Sequence, residues 1–240
     1  MVPAPVFTSG SMVNAASFKG GPVVPGEVIT VFGSNFGPAS LSTLSLDASG
    51  RVATQIADTF VTFDGTAAPM IYAVTGQLSA IVPYNVSGKT SSNVVVSFGG
   101  AISAPVKVVV ADASPALFTL NASGSGPAAI LNQDASVNTA AHPAAQNSIV
   151  VLFGTGLGVV TPAARDGEIT IGTATSLQTV KVTIGGKDAR ILYAGAAPSL
   201  VSGVFQINVQ LPQGIGQGAL PILVTVGSAA TPTIVTVFVE

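Results

Sequence analysis

Few stretches of this chain carry residue types that could do chemistry. Gly154-Thr155-Gly156-Leu157-Gly158 follows an apolar run, as a phosphate-binding loop would. The dinucleotide fingerprint needs a further glycine one residue on and a helix behind it. Val159 stands there instead, and the following residues are interrupted by Pro162 and Arg165 with no helical period. The loop therefore reads as a tight turn with positive φ. His142 is the only histidine and precedes Pro143 in a loop-type stretch. A serine nucleophile needs a base oriented by a third group, and the chain has no Gly-x-Ser-x-Gly elbow. Of the ten carboxylates, only Asp166 and Glu168 lie close together, in a turn-type composition. Distant acids can pair for glycoside hydrolysis, but such clefts are lined with aromatic side chains, and here aromatics are 6% with no tryptophan. Asn132, Asp134 and Asn138 offer oxygens that could coordinate Ca²⁺. Side-chain-to-backbone bonds in a turn use the same atoms. The expectation is no catalytic residue, no cofactor, no metal site, and a protein that is not an enzyme.

Composition narrows the partners. Charged residues are 8% of the chain, against a usual share of roughly 25%. The eight cations are scattered and the net charge is −2, so there is no basic footprint for nucleic acid. Mean hydropathy is high, yet no apolar run approaches the roughly 20 residues of a membrane-spanning helix. Such a chain either buries extra surface between copies or partners, or covers itself with Ser, Thr, Asn and Gly. There is no cysteine, hence neither disulfides nor thiolate metal sites. The start, Met1-Val2-Pro3-Ala4-Pro5, shows neither the basic nor the apolar region of a signal peptide.

The elements that must position these residues are strands. Gly and Pro number 27 and 16, β-branched residues abound, and helix-period patterns are nearly missing. Val28 to Phe32 reads as one buried strand running into the loop Gly33-Ser34-Asn35-Phe36-Gly37. The same sentence recurs at Ser148 to Gly158, with 154 − 33 = 121 and 158 − 37 = 121. Phe32 and Phe153 are expected at matching interior positions. Phe60 to Phe63, the hairpin signal Asp64-Gly65, Ala68 to Val74 and Gln77 to Val82 follow, then a last hairpin turned at Gly99-Gly100. Val180 to Ile184, Gly185-Gly186, Tyr193 and Phe205 to Leu211 repeat that order. Pro83 and Pro212 differ by 129, so the second copy carries 129 − 121 = 8 extra residues, placed around Ala194 to Gly203. Tyr72 and Tyr193 are equivalent and read as core or inter-sheet packing with the hydroxyl at an edge.

About seven strands per copy with regular turns point to an all-β chain of two tandem immunoglobulin-like sandwiches. The division expected is residues 1–112, an ordered connection at 113–146 with Leu117, Phe118, Ile130 and Leu131 tucked in, and 147–240. Residues 1–13 read as a linker or a loose strand able to add to a sheet edge. The residues Asn14-Ala15-Ala16-Ser17-Phe18, Pro25-Gly26, Val31 to Pro38, Gln77 to Tyr84, Gly154 to Gly158 and Tyr193-Ala194-Gly195 resemble the Solibacter-type C-terminal domain family of large secreted bacterial proteins. The opening strand and loop also resemble the wider IPT/TIG group of immunoglobulin-like domains. The resemblance covers nearly the whole chain and implies a secreted β-sandwich pair. It supplies no activity and no catalytic residues.

The function expected is that of an extracellular or cell-surface structural or adhesive module. It would work through protein–protein contacts, including contacts with copies of itself by strand-edge pairing. The alternative is a polysaccharide-binding accessory module using the Gly33–Gly37 loop and the Ala194–Gly203 insertion.

Overall fold

The computed structural model describes residues 2–240. In the first lobe the main strands are β1 (Met12–Asn14), β2 (Val28–Phe32), β3 (Thr59–Phe63), β4 (Thr66–Ala67), β5 (Met70–Val74), β6 (Gln77–Ile81), β7 (Ser91–Phe98) and β8 (Val106–Val109). In the second they are β9 (Ile130–Leu131), β10 (Ile149–Thr155), β11 (Val180–Ile184), β12 (Lys187–Asp188), β13 (Arg190–Ala196), β14 (Val204–Gln210), β15 (Gly218–Val226) and β16 (Val235–Val239). The sheets run β1-β2-β6-β5 and β8-β7-β3-β4 in the first lobe, and β9-β10-β14-β13 and β16-β15-β11-β12 in the second. Lettered in chain order, both lobes read A-B-E-D against G-F-C-C′, the immunoglobulin strand order. The chain is two tandem immunoglobulin-like β-sandwiches.

Local chemistry explains the hairpins. Asp64 and Gly65 both take positive φ, as do Gly99-Gly100 and Gly185-Gly186, the geometry that lets a two-residue turn match strand twist. Each D strand carries a β-bulge at the same place, between Met70 and Tyr72 and between Ile191 and Tyr193.

Strand parity corrects one expectation. On β2 the side chains entering the sandwich are Ile29 and Val31, and Phe32 faces outward at 40% exposure. Phe153 matches it at the same place on β10 and is half-buried, outside the second core. The two phenylalanines are equivalent but not interior, because successive side chains alternate between faces. The interior residue is supplied by the glycine loop instead: Phe36 in the first copy and Leu157 in the second. Tyr72 and Tyr193 likewise lie half-buried on the outward face rather than in a core.

The N-terminal segment is not a free strand. Val6 exchanges both backbone hydrogen bonds with Ser34 at 3.1 Å, and Phe7 is buried in the first core, edge-on to Phe36 at 6.0 Å. Burial of that ring holds the segment in its own lobe. Residues 113–146 play the corresponding part in the second lobe. Ala116 and Leu117 pair with Thr155 and Gly154, and Leu117, Ile130 and Ala144 enter the second core. Phe118 and Leu131 stay half-buried.

Sheet edges are largely closed. The outer edges of β8 and β16 are met by parallel bridges, Val23 with Val110 and Ala144 with Val239. The C′ strands β4 and β12 are two residues long. Short or covered edges oppose edge-to-edge pairing, so the expected strand-edge route to self-assembly finds few open ladders.

Candidate functional site: the seam between the lobes

The most elaborate polar arrangement lies where the lobes meet. Several buried apolar residues, among them Val24, Val28, Ile81, Ala116, Ala196 and Ala197, belong to neither core. Contacts across the seam account for them. A Cβ on Gly203 would fall 2.4 Å from the Gly26 carbonyl and 3.1 Å from Ile81. The eight-residue excess of the second copy falls in the β13–β14 loop, Ala197 to Gly203, and in the strand ends that flank it, and this loop clasps the first lobe.

The loop Gly154 to Gly158 lies in the same seam. Cβ atoms on Gly156 and Gly158 would sit 2.0 Å from the Ser114 oxygen and 2.1 Å from the Asp112 oxygen, and both glycines have positive φ. At Gly156 and Gly158 the loop packs against the chain's own backbone, and the Gly156 carbonyl accepts from the Ser114 amide at 2.9 Å, so the loop is a packing element rather than an open cradle. Thr155, fully buried, accepts from the Val28 amide at 2.7 Å and donates to the Gly203 carbonyl at 2.8 Å. Tyr84 closes the far side. Its amide donates to Asp166 Oδ1 at 2.8 Å and its hydroxyl meets Ser202 Oγ at 3.0 Å. The Val52 amide donates to the Gly167 carbonyl at 2.8 Å. Burial, with the charges of Asp166 and Glu168 nearby, pushes the Tyr84 phenol up. Of the two close acids of the sequence, Asp166 holds the Tyr84 turn across the seam, while Glu168 accepts the Ser202 amide through its backbone carbonyl at 2.7 Å.

Among the described residues Glu27 is the one deeply buried carboxyl, 2% exposed at the head of β2. Its Oε1 accepts from Asn14 Nδ2 at 2.7 Å and its Oε2 from the Val24 amide at 2.9 Å. Asn14 is itself fixed. Its Oδ1 accepts from the Ala16 and Ser17 amides at 2.9 and 3.2 Å, and its Nδ2 also reaches the Ser114 carbonyl at 3.2 Å. Burial pushes the Glu27 carboxyl up to about 8, outweighing the two accepted hydrogen bonds. The adjoining cavity, about 10 Å³ and lined by Asn14, Lys19, Glu27 and Ser114 among others, admits nothing larger than water. This network joins elements; it has no room for a substrate. Asn14 and Glu27 do not stand out as a pair in the sequence. The available signal is a glutamate directly before a strand that is apolar at all but Thr30.

The other candidates are dispersed. Asn132, Asp134 and Asn138 do lie together, but their atoms are engaged with one another and with the chain. Asp134 Oδ1 accepts from the Ser136 amide and hydroxyl at 3.0 and 2.6 Å. Asn138 donates to Asn132 Oδ1 and the Phe238 carbonyl at 2.9 Å each, and accepts from the Phe238 amide at 2.8 Å. The trio stitches a turn to β16. The Ser136 bonds also hold the Asp134 carboxyl below its usual range. His142 lies exposed in the same loop. No helix among the described residues is long and apolar enough to cross a membrane.

Neither a protein-family model nor a curated protein matches the chain. Among solved structures it is similar to the Bacteroides ovatus mixed-linkage glucan utilization locus protein SGBP-B, in complex with a mixed-linkage heptasaccharide. That match has 15% identity and a TM-score of 0.33, over 91% of this chain and 42% of that one. It is similar to the I9–I11 tandem of titin at 9% identity and TM-score 0.25, over 99% of this chain and 66% of that one. It is similar to the Yersinia pseudotuberculosis adhesin InvE at 13% identity and TM-score 0.22, over 96% and 60%. The chain spans less than half the length of the first of these. Scores this low carry no argument about activity, and the fold rests on the strand order itself.

Proposed function

We propose that this chain is a non-enzymatic extracellular module that works by contact, with the two sandwiches acting as one stiff unit. The observation that carries the reading is the seam: apolar residues buried outside either core, close backbone packing at Gly156, Gly158 and Gly203, and a buried Asn14–Glu27 pair. A flexible linker would need none of these. Such a unit suits a structural or adhesive role, in which shape must be held while partners bind outside. The partners proposed are other proteins, copies of this chain included. With most edges closed, self-association would proceed by exchange of the N-terminal segment, Val6 and Phe7 docking on a neighbour's Ser34 and Phe36. The resemblance to Solibacter-type C-terminal domains of secreted proteins fits this placement outside the cell.

Sedimentation over a wide concentration range, with and without residues 2–12, tests the assembly. Concentration-dependent oligomers that vanish on deletion are expected. A strict monomer in both forms removes self-assembly, and scattering curves that demand independent lobes remove the stiff unit.

A further inference from the structure

The outward face of the A-B-E-D sheet carries the same small cluster in both lobes. Phe32 on β2 stands opposite Gln77 on β6, and Phe153 on β10 stands opposite Gln206 on β14. The separations, 153 − 32 = 121 and 206 − 77 = 129, are the offsets of the repeat itself. A tyrosine stands on the next strand in each case, Tyr72 opposite Ser79 and Tyr193 opposite Asn208. Neither phenylalanine enters a core. Both amides are pinned through their nitrogens: Gln77 Nε2 donates to the Tyr72 hydroxyl, and Gln206 Nε2 donates to Asn208 Oδ1 at 2.8 Å. Neither Oε1 receives a hydrogen bond from the described residues, which leaves a fixed acceptor beside an aromatic ring on each lobe.

We infer that each of these two clusters is a contact site for an uncharged polysaccharide. A pyranose has an apolar C–H face that covers an aromatic ring, and hydroxyls that donate to an amide oxygen held in place. Charge selects within that class. The same-face positions beside the Phe–Gln pairs are Thr30, Val74 and Ser79 in the first lobe and Val151, Gly195 and Asn208 in the second, and none is ionised; the first charge along that face is Arg190, opposite Gln210. An acidic or basic polymer would lose hydration here without meeting a countercharge. The site does not depend on self-assembly, so sedimentation and sugar binding can fail separately.

Affinity electrophoresis of the full chain through gels containing hydroxyethylcellulose, galactomannan or amylopectin tests this, with polygalacturonate and heparin as charged counterparts. Retardation by at least one uncharged polymer is expected. Phe32→Ala and Phe153→Ala should each weaken it about tenfold, the loss of one such contact, and together abolish it. Gln77→Ala and Gln206→Ala should act in the same direction. Unchanged melting temperatures certify that the variants fold, and Ile102→Ala, exposed elsewhere, serves as the control. Three uncharged gels without retardation, stronger retardation by a charged gel, or retardation that survives the double phenylalanine change would overturn the site.

Discussion

Glu27 should make the stability of this protein fall as pH rises towards 8. Its carboxyl titrates at 4.5 when exposed and at about 8 in the fold. The folded value is raised, so the contribution is fully present below pH 4.5 and is lost as pH climbs to about 8. A tenfold change in proton affinity is worth about 1.4 kcal/mol, so the loss across the window is about 5 kcal/mol. About 3–4 kcal/mol of that falls between pH 5 and pH 8, which for a chain of 240 residues corresponds to a melting temperature about 7–15 °C lower at pH 8 than at pH 5. Other perturbed groups stay out of the way. Asp47, Asp64 and Asp134 are lowered and titrate in acid, and Tyr84 and Tyr193 are raised in alkali. Glu27→Gln keeps the shape but cannot accept from both Asn14 and Val24, which costs about 1–3 kcal/mol at every pH. The variant should therefore be the weaker protein at pH 5 and the stronger at pH 8, with a nearly flat profile between. Urea titrations at half-unit steps from pH 5 to 8.5 measure both curves. Parallel slopes for the two proteins, or a wild-type curve that rises, would refute the burial argument.

Two further outcomes concern the seam. Gly156→Ala puts a methyl against the Ser114 carbonyl at a positive φ, and should cost about 3 kcal/mol or more and split the calorimetric transition into two as the lobes uncouple. Tyr84→Phe and Ser202→Ala should each cost about 1 kcal/mol and together little more than one alone, since they remove one hydrogen bond; a double-mutant cycle by urea denaturation reads the coupling.

What the sequence makes legible is local. The turns at Asp64-Gly65, Gly99-Gly100 and Gly185-Gly186 need positive φ at both residues, and their composition announces it. The repeat offset of 121 locates the equivalent strands, and the step to 129 places the extra residues around Ala194 to Gly203 before the role of the loop there is visible. Phe32 is misplaced from sequence because β2 is apolar at almost every position, so alternation gives no phase. Only the partner strand and Phe36 reveal which face is inward. The seam is illegible for a different reason. Asn14 and Ser114, or Tyr84 and Ser202, are brought together by lobe packing across 100 and 118 residues, and no spacing rule reaches that far.

The differences between the copies carry the functional reasoning further than their likeness. Where the first lobe has Val28 and Ile81 on its outward face, buried under the second lobe, the second has Ile149 and the polar Gln210, both partly exposed. Where the first has Glu27, the second has Ser148. The clasping loop Ala197 to Gly203 has as its counterpart only the Thr75-Gly76 turn. One lobe is thus shaped to be covered and the other to cover, so the contact is heterologous yet does not present its complement again. A second copy of the chain cannot simply extend the seam, because the Oε1 of Gln210, whose Nε2 is already held by Asn147, would be buried without a donor. Contacts between molecules must use surfaces other than the one that joins the lobes. That leaves the Phe–Gln clusters, one on each lobe, as the repeated feature available to a ligand.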